Sequence, residues 1–523
     1  MHERLPVIDL FAGPGGLGEG FACFQAGDYS PFRIALSVEK DHWAHKTLLL
    51  RAFLRNARMP AVRNQYRRFI RSKRGPDELM KLFDCAPKAA RSARAEALHG
   101  EIGCGMFSDD RLAEQVRRVV GSAKIWVLVG GPPCQAYSLA GRSRHAKLRK
   151  NNIAQFESDR RHYLYEHYLR LIQNTRPPVF LMENVKGLLS STLRGERVFN
   201  RIVDDLRSPG KQEYTIYSVT KPSCTGAPGT RPDFRPSDFI VRSERYGIPQ
   251  KRHRVIILGI RSDIGVVPRY LTERPTRISL HDVISDLPMI RSSVSRNNGL
   301  RPWIDCVRET ADLVGAKGAP RGLLHMIHSE LRRLSDKLPT GALAMPYRPG
   351  RPPRHSRLWY RIRRLPFVAN HEGRSHMQTD LQRYFFLSCA AKWYSNQGEH
   401  RSPQLSDLPK RLWPKHRNVI NGETKVFLDR FRVQLADQPA TTVTSHIAKD
   451  GHYFIHPDPV QCRSLTVREA ARVQTFPDDY VFMGPRTSQY QQVGNAVPPL
   501  LGREIAAIIY DLFQDAYSTT ARP

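Results

Sequence analysis

No Cys-x-x-Cys pair occurs in the 523-residue chain, whose eight cysteines, Cys23, Cys85, Cys104, Cys134, Cys224, Cys306, Cys389 and Cys462, are scattered. With neither paired cysteines nor a cysteine/histidine spacing of the zinc type, reduced thiols and no metal are expected. No apolar run reaches the ~20 residues of a membrane span. The amino terminus leads into a strand-like segment without a signal-peptide pattern, so a cytoplasmic protein with no membrane contact is expected. Acid is scarce: 49 Asp+Glu face 82 Lys+Arg, a formal net charge of +33. Such a field attracts a polyanion, which makes nucleic acid the expected partner. The length is enough for two or three compact units.

The chain is organised around Gly130-Gly131-Pro132-Pro133-Cys134-Gln135, which follows the apolar run Ile125-Trp126-Val127-Leu128-Val129. That run reads as a buried parallel strand, and the glycines and prolines place a cysteine on a stiff turn at its carboxyl edge. Ligands bind at such edges in open α/β sheets. On this stretch alone Cys134 is either an ordinary packed thiol or a reactive one. At the amino terminus, strand-like Leu5–Phe11 is followed by Gly13, Gly15 and Gly18 in a G-x-G-x-x-G spacing, and Glu39 closes a second strand about twenty residues on. Glycines there let backbone approach a ligand, and the acid accepts hydrogen bonds from ribose hydroxyls. A dinucleotide and S-adenosylmethionine both present an adenosine to this edge.

A basic, helix-prone stretch from about 51 to 98, with Arg67, Arg68, Arg71, Lys73 and Arg74, reads as an insertion bearing a solvated helical face or phosphate contacts. Beyond Cys134, the loop with Arg142, Arg144, Lys147, Arg149 and Lys150 suits phosphate contacts. Glu183 ends the apolar run Val179–Met182, where an unpaired carboxylate is costly, so a functional or ion-paired role is expected. Arg252 and Arg254 lie two apart before the strand Val255–Ile260, and on an extended chain they project to one side. After about Ser262 the alternation fades. Between 291 and 420 arginines 351, 354, 357, 361, 363 and 364 interleave with Trp359, Tyr360 and Phe367, which fits a nucleic-acid surface. Pro439–Thr444 and His452–Ile455 suggest short strands closing that domain. Thr466 and Glu469 form a capping box, and Gln492–Pro499 reads as the start of a last helix over about 500–513.

Taken in order, Asp9-Leu10-Phe11-Ala12-Gly13-Pro14-Gly15-Gly16, Gly131-Pro132-Pro133-Cys134-Gln135, Glu183-Asn184-Val185, Gln250-Lys251-Arg252-His253-Arg254, Arg468-Glu469-Ala470-Ala471-Arg472 and Gly494-Asn495-Ala496-Val497-Pro498-Pro499 resemble the blocks of the DNA (cytosine-5) methyltransferases, in the family's order. The 51–98 stretch and most of 270–430 resemble it in position only. The resemblance implies an α/β fold: a Rossmann-like catalytic domain over 1–275 and a mostly irregular or mixed target-recognition domain over 276–462. A capped helix and C-terminal return would follow over 463–523, the last helix packing beside the first strand.

It also implies S-adenosylmethionine as cofactor, with Asp9, Phe11, Gly13, Gly15, Gly16, Leu17, Glu39, Glu101, Ile102, Pro132, Asn495 and Val497 at its site. Glu101-Ile102 stands where many members have Asp-Ile, and Lys40 where an apolar residue often packs on adenine; Asp109 or Asp110 is the alternative adenine contact. The implied catalytic residues are Cys134, Glu183, Arg252 and Arg254. Cys134 adds to carbon 6 of a flipped-out cytosine, Glu183 holds or protonates ring nitrogen 3, Arg254 orients the base and Arg252 supports the loop. Lowering a thiol from pKa ~8.5 to ~6.5 gains only about 25-fold in thiolate at pH 7, so stabilising charge on the ring must contribute more.

The implied partner is double-stranded DNA, bound by a monomer with sequence preference. A restriction-modification or other defence setting with a partner nuclease is the implied context. A tRNA cytosine methyltransferase, a catalytically silent DNA-binding protein and a nicotinamide-dependent oxidoreductase are the competing readings. The long basic domain, the intact Cys134, Glu183, Arg252 and Arg254, and the cysteine and glutamate blocks argue against each in turn.

Overall fold

The computed structural model describes residues 4–57, 59–133, 164–193, 196–210, 213–221, 235–295, 302–347, 359, 365–415 and 430–520. Strands β1 (Leu5–Leu10), β2 (Phe32–Glu39), β3 (Ala97–His99), β4 (Val127–Gly130), β5 (Val179–Val185), β6 (Tyr214–Ser218), β7 (Ile240–Arg242) and β8 (His253–Arg261) form one eight-stranded sheet. Its order is β3-β2-β1-β4-β5-β8-β6, with β7 pairing β8. The first five are parallel, and β8 runs antiparallel to β5, β6 and β7. Both faces are covered, which is why these strands are apolar throughout. Val7, Ile34, Val129 and Leu181 join the core on one face, and Ile8, Leu36, Leu128 and Phe180 that on the other. Successive strands wind in opposite directions from β1 and β4, which opens a crevice at their carboxyl ends.

Among the described residues up to 175, the α-helices are α1 (Gly16–Cys23), α2 (His42–Asn56), α3 (Pro60–Arg71), α4 (Pro76–Asp84), α5 (Pro87–Glu96), α6 (Asp109–Val120) and α7 (Leu164–Thr175). The basic insertion is thus helical, but residue 51 falls inside α2. Arg51 is buried against Glu19 and Asp479, and Arg74 donates to the Ile70 and Leu343 carbonyls. Neither belongs to a solvated face.

Residues 303–412 and 431–462 contribute a separate apolar cluster around α8 (Gln378–Asn396), in which Leu381, Phe385, Phe386 and Cys389 are buried together with Trp303, Ile327, Leu405 and Phe431. The region also holds a hairpin, β9 (Gly341–Pro346) against β10 (Phe367–Glu372). Trp359 and Phe367, expected on a nucleic-acid surface, are core residues, and Trp359 donates its ring N–H to the Thr475 carbonyl. Their large apolar area outweighs the basic neighbourhood in sequence. The other members of that aromatic and arginine run, and the basic loop after Cys134, lie outside the described residues.

Two local expectations are corrected. His452–Phe454 is a single 3-10 turn, and Ile455 makes only isolated bridges with Val433 and Ser464; Ala440–Thr441 pairs with Gln250–Lys251, just before β8. Gln492–Pro499 ends one helix, α10 (Arg486–Asn495), and the next, α11 (Pro499–Thr520), starts at its far end, because two prolines cannot continue the first. The capping box opens α9 (Val467–Val473): Thr466 accepts from the Glu469 N–H, and Glu469 from that of Thr466. Helix α11 packs closely on α1, where Gly20 lies against the Pro499–Arg503 backbone.

Candidate active site

The turn after β1 is held in unusual backbone. Phe11 has φ 57°, Gly13 58° and Gly15 94°, left-handed values that glycine adopts freely and phenylalanine only where the surroundings enforce it. Glu39, at the end of β2, braces the turn at Gly13. One of its carboxylate oxygens accepts the Gly13 N–H at 2.7 Å and the other the Asp41 N–H at 2.7 Å. Burial raises its pKa, opposed by those two N–H groups. A Cβ at Gly13 would meet nothing within 4 Å, so this edge is open beside an acceptor-rich carboxylate. Ile102 is buried next to the half-buried loop, and Val497 is half-buried opposite Gly16, whose Cα lies against the Val497 carbonyl. An adenosyl group fits this donor and acceptor set.

Asp9 and Leu17 occupy different ground. Asp9 is buried beneath α1 and accepts the Gly18 N–H at 3.2 Å; burial pushes its carboxyl up to about 7, with that N–H opposing. Leu17 is buried in the core. Glu101 is exposed and paired with Lys40 at 3.1 Å, which links the two positions where the chain departs from the family pattern. Asp109 is taken by His167 at 2.7 Å and Arg170 at 2.9 Å, while Asp110 is exposed.

At the carboxyl ends of β4 and β5 the second set converges. Arg254 Nε lies 3.0 Å from Glu183 Oε1. A Cβ on Gly131 would stand 3.1 Å from Glu183 Oε2, and Asn184 donates to the Pro132 carbonyl at 3.2 Å. The carboxylate therefore overhangs the turn that leads directly to Cys134, itself outside the described residues. Burial lowers the Arg254 pKa against the opposing charge of Glu183. Arg252 does not reach Glu183. It is buried and donates from Nη1 to the Val443 carbonyl at 2.8 Å and the Gly494 carbonyl at 3.2 Å, and burial followed by the charge of Arg254 drives its pKa well down. The expected shared orientation of the two arginines thus resolves into one on the carboxylate and one on the scaffold.

Two glutamines complete that scaffold. Gln250 accepts the Val443 N–H at 3.0 Å and donates to Gln474 Oε1 at 2.6 Å; Gln474 donates to the Val493 carbonyl at 2.7 Å and the Ala496 carbonyl at 3.3 Å. This buried ring ties the arginine strand, the segment at Val443, the end of α9 and the Asn495–Val497 turn. Gly494 is required there, since a Cβ would lie 2.3 Å from the Thr444 carbonyl carbon. Gln474 carried no signal in the sequence: its partners are backbone groups from distant segments.

An open, mainly parallel sheet with a strained glycine turn after β1 and an acid at the end of β2 defines a Rossmann-like fold. A prophage-encoded DNA modification methyltransferase of E. coli shares it, with a TM-score of 0.51 at 18% identity over 98% of this chain and 100% of that one. The family model for C-5 cytosine-specific DNA methylases matches residues 113–315 and 353–511, and the chain belongs to that family. Among curated relatives, the Type II methyltransferase M.Bpa9945I of Bacillus paralicheniformis is 32% identical, covering 97% of this chain and 98% of its own. M.AgeI of Thalassovita gelatinovora is 26% identical over 97% and 99%. The protein is accordingly a DNA methyltransferase enzyme, and among its described residues no helix is long and apolar enough to cross a membrane.

Proposed function

We propose that the chain methylates carbon 5 of a cytosine flipped out of double-stranded DNA, using S-adenosylmethionine, and that Cys134, Glu183, Arg252 and Arg254 carry the reaction. The observation that carries this reading is the carboxylate of Glu183, gripped by Arg254 and overhanging Gly131 three residues before Cys134. Phe11, Gly13, Gly15, Gly16, Glu39, Ile102, Pro132, Asn495 and Val497 would line the cofactor, with Glu39 accepting from its ribose and Glu101 standing with Lys40 at the rim. Asp9 and Leu17 would support that loop from beneath. When bound, the cofactor supplies an electrophilic methyl group.

The remaining chemistry belongs to the chain. The Cys134 thiolate adds to carbon 6, and the electron pair displaced from the 5,6 double bond makes carbon 5 nucleophilic. Glu183 delivers or holds a proton at ring nitrogen 3, so that charge gathering on the ring is neutralised where it forms. Arg254 fixes that carboxylate and the base; Arg252 fixes the backbone that carries Arg254. Once carbon 5 bears the methyl group, a base removes its proton and the thiolate leaves, restoring the double bond. Flipping costs a few kcal/mol, which the phosphate contacts of a strongly basic chain would offset.

Residues 276–462 would choose the DNA sequence, and the curated Type II relatives support a restriction-modification setting with a partner nuclease, the protein acting as a monomer in the cytoplasm. With radiolabelled S-adenosylmethionine, the purified protein should label cytosine in duplex DNA; Cys134→Ala should abolish labelling yet still bind cofactor. Label confined to tRNA, or unchanged in the variant, overturns the proposal. Bisulfite mapping of the labelled DNA yields the site.

A further inference from the structure

Between Asp41 and Asp77 the sequence contains no acid, while arginine and lysine recur throughout. Two of these cations, Arg51 and Arg55, are neutralised inside the protein by Glu19, Glu96 and Asp479. Arg74 is buried on carbonyls. Lys46 lies on α2 over the Trp43 ring and residue 58 is outside the described residues; the others lie on α3 and just after it. Val62, Tyr66, Phe69 and Ile70 bury one side of the helix. Arg63, Arg67 and Arg71, each four residues apart, form a single row on the other, flanked by Arg68 and Lys73. Arg63, Arg68, Arg71 and Lys73 are exposed, Arg67 is half-buried with its Nε unbonded, and none of the five forms an ion pair among the described residues.

Like charges four apart on a helix destabilise it by a few tenths of a kcal/mol per pair. A face kept for solubility alone would mix signs.

The row is also rigidly mounted. Tyr66 donates to the Asp479 carbonyl at 2.7 Å. Arg74, at the end of this segment, grips the Leu343 carbonyl of β9, and Phe69 and Ile70 share an apolar cluster with Phe367 and Ala369 of β10. The basic face is thereby joined both to the β9–β10 hairpin and to the segment at Asp479.

We propose that this face of α3 is a second DNA contact, holding the phosphate backbone of duplex that flanks the target site. The proposal rests on the reading of the protein as a duplex-DNA methyltransferase, and it gives the helical insertion a role: it lengthens the footprint without touching the reacting base.

The test compares the wild type with the triple variant Arg63→Gln, Arg68→Gln, Arg71→Gln, all surface changes, on duplexes carrying a site found by bisulfite mapping. One duplex has short flanks and one extends by a further helical turn on each side. Each lost phosphate contact lowers the slope of log affinity against log salt by about 0.9, so the variant's slope on the long duplex should fall by about 2.7. Between 50 and 200 mM salt the wild type should then lose about 40-fold more affinity than the variant. On the short duplex the two should agree, and kcat at saturating DNA should be unchanged. An unaltered slope overturns the proposal, as does an equal loss on both duplexes or a loss seen with RNA alone. A wild type that labels no duplex DNA instead overturns the functional reading, which separates the two failures.

Discussion

Asp9 offers a test that reaches from a single buried carboxyl to the stability of the folded chain. It is 2% exposed, it accepts the Gly18 N–H, and burial pushes its pKa from 3.8 to about 7. At 1.36 kcal/mol per unit, ionising it in the folded state costs about 4 kcal/mol. The sign follows from proton binding. Below pH 3.8 both folded and unfolded chains hold the proton and the favourable contribution is fully present; as the pH rises the unfolded chain releases its proton first, and the contribution is lost by the time the pH passes 7. Asp9→Asn keeps an acceptor for Gly18 and cannot ionise. Its new amide N–H₂ adds a pH-independent cost of about 1–3 kcal/mol if unpaired. Urea unfolding of both proteins at pH 5 and pH 8 should therefore show the variant gaining roughly 3 kcal/mol relative to wild type across that interval, whatever the constant offset. A difference that stays flat with pH would refute the reasoning.

Arg254→Ala leaves Glu183 without its cation beside the turn to Cys134; kcat should fall by about 10²–10³, the usual loss of one oriented donor, as measured by methyl transfer at saturating substrates. Gly20→Ala would place a methyl 2.4 Å from the Pro499 carbonyl oxygen and 2.6 Å from the Arg503 nitrogen. Since both are backbone, α1 and α11 must separate, and thermal unfolding should show a loss of about 1–3 kcal/mol. Arg51→Met removes a buried partner of Glu19 and Asp479 and should cost about 3–5 kcal/mol at pH 7 in urea unfolding. Burial would raise the Glu19 pKa, but Arg51 and then Arg55 outweigh it and hold it at about 2. That depressed value contributes stability above pH 4.5 which is lost as the pH falls toward 2. The variant should lose less than the wild type between pH 5 and 3.

Much of the site was legible because its chemistry depends on short contiguous motifs. Gly13, Gly15 and Glu39 are separated by one strand and one helix, and the spacing alone places them on one edge. The aromatic and arginine run misled for Trp359 and Phe367, because composition cannot tell a surface from a core: both rings are buried by segments more than a hundred residues away, Thr475 and the α2–α5 cluster. The helix break at 495–499 was missed for a local reason, that a proline pair both ends one helix and starts another.

What the sequence by itself determined is the set of residue types and their order along the strands: an apolar run before Gly131, an acid after Met182, two arginines before Val255. Each is set by nearest neighbours, through the two-residue period of a strand and the stiffness of glycine and proline turns. Tertiary structure alone decided how they are divided. It put Arg254 on Glu183 and sent Arg252 to the Val443 and Gly494 carbonyls. It also folded Asp9 under α1 and closed the Gln250–Gln474 ring. Those outcomes depend on which distant backbone groups would otherwise be buried without partners, a demand that is absent until the sheet, the segment at Val443 and the turn before α11 have come together.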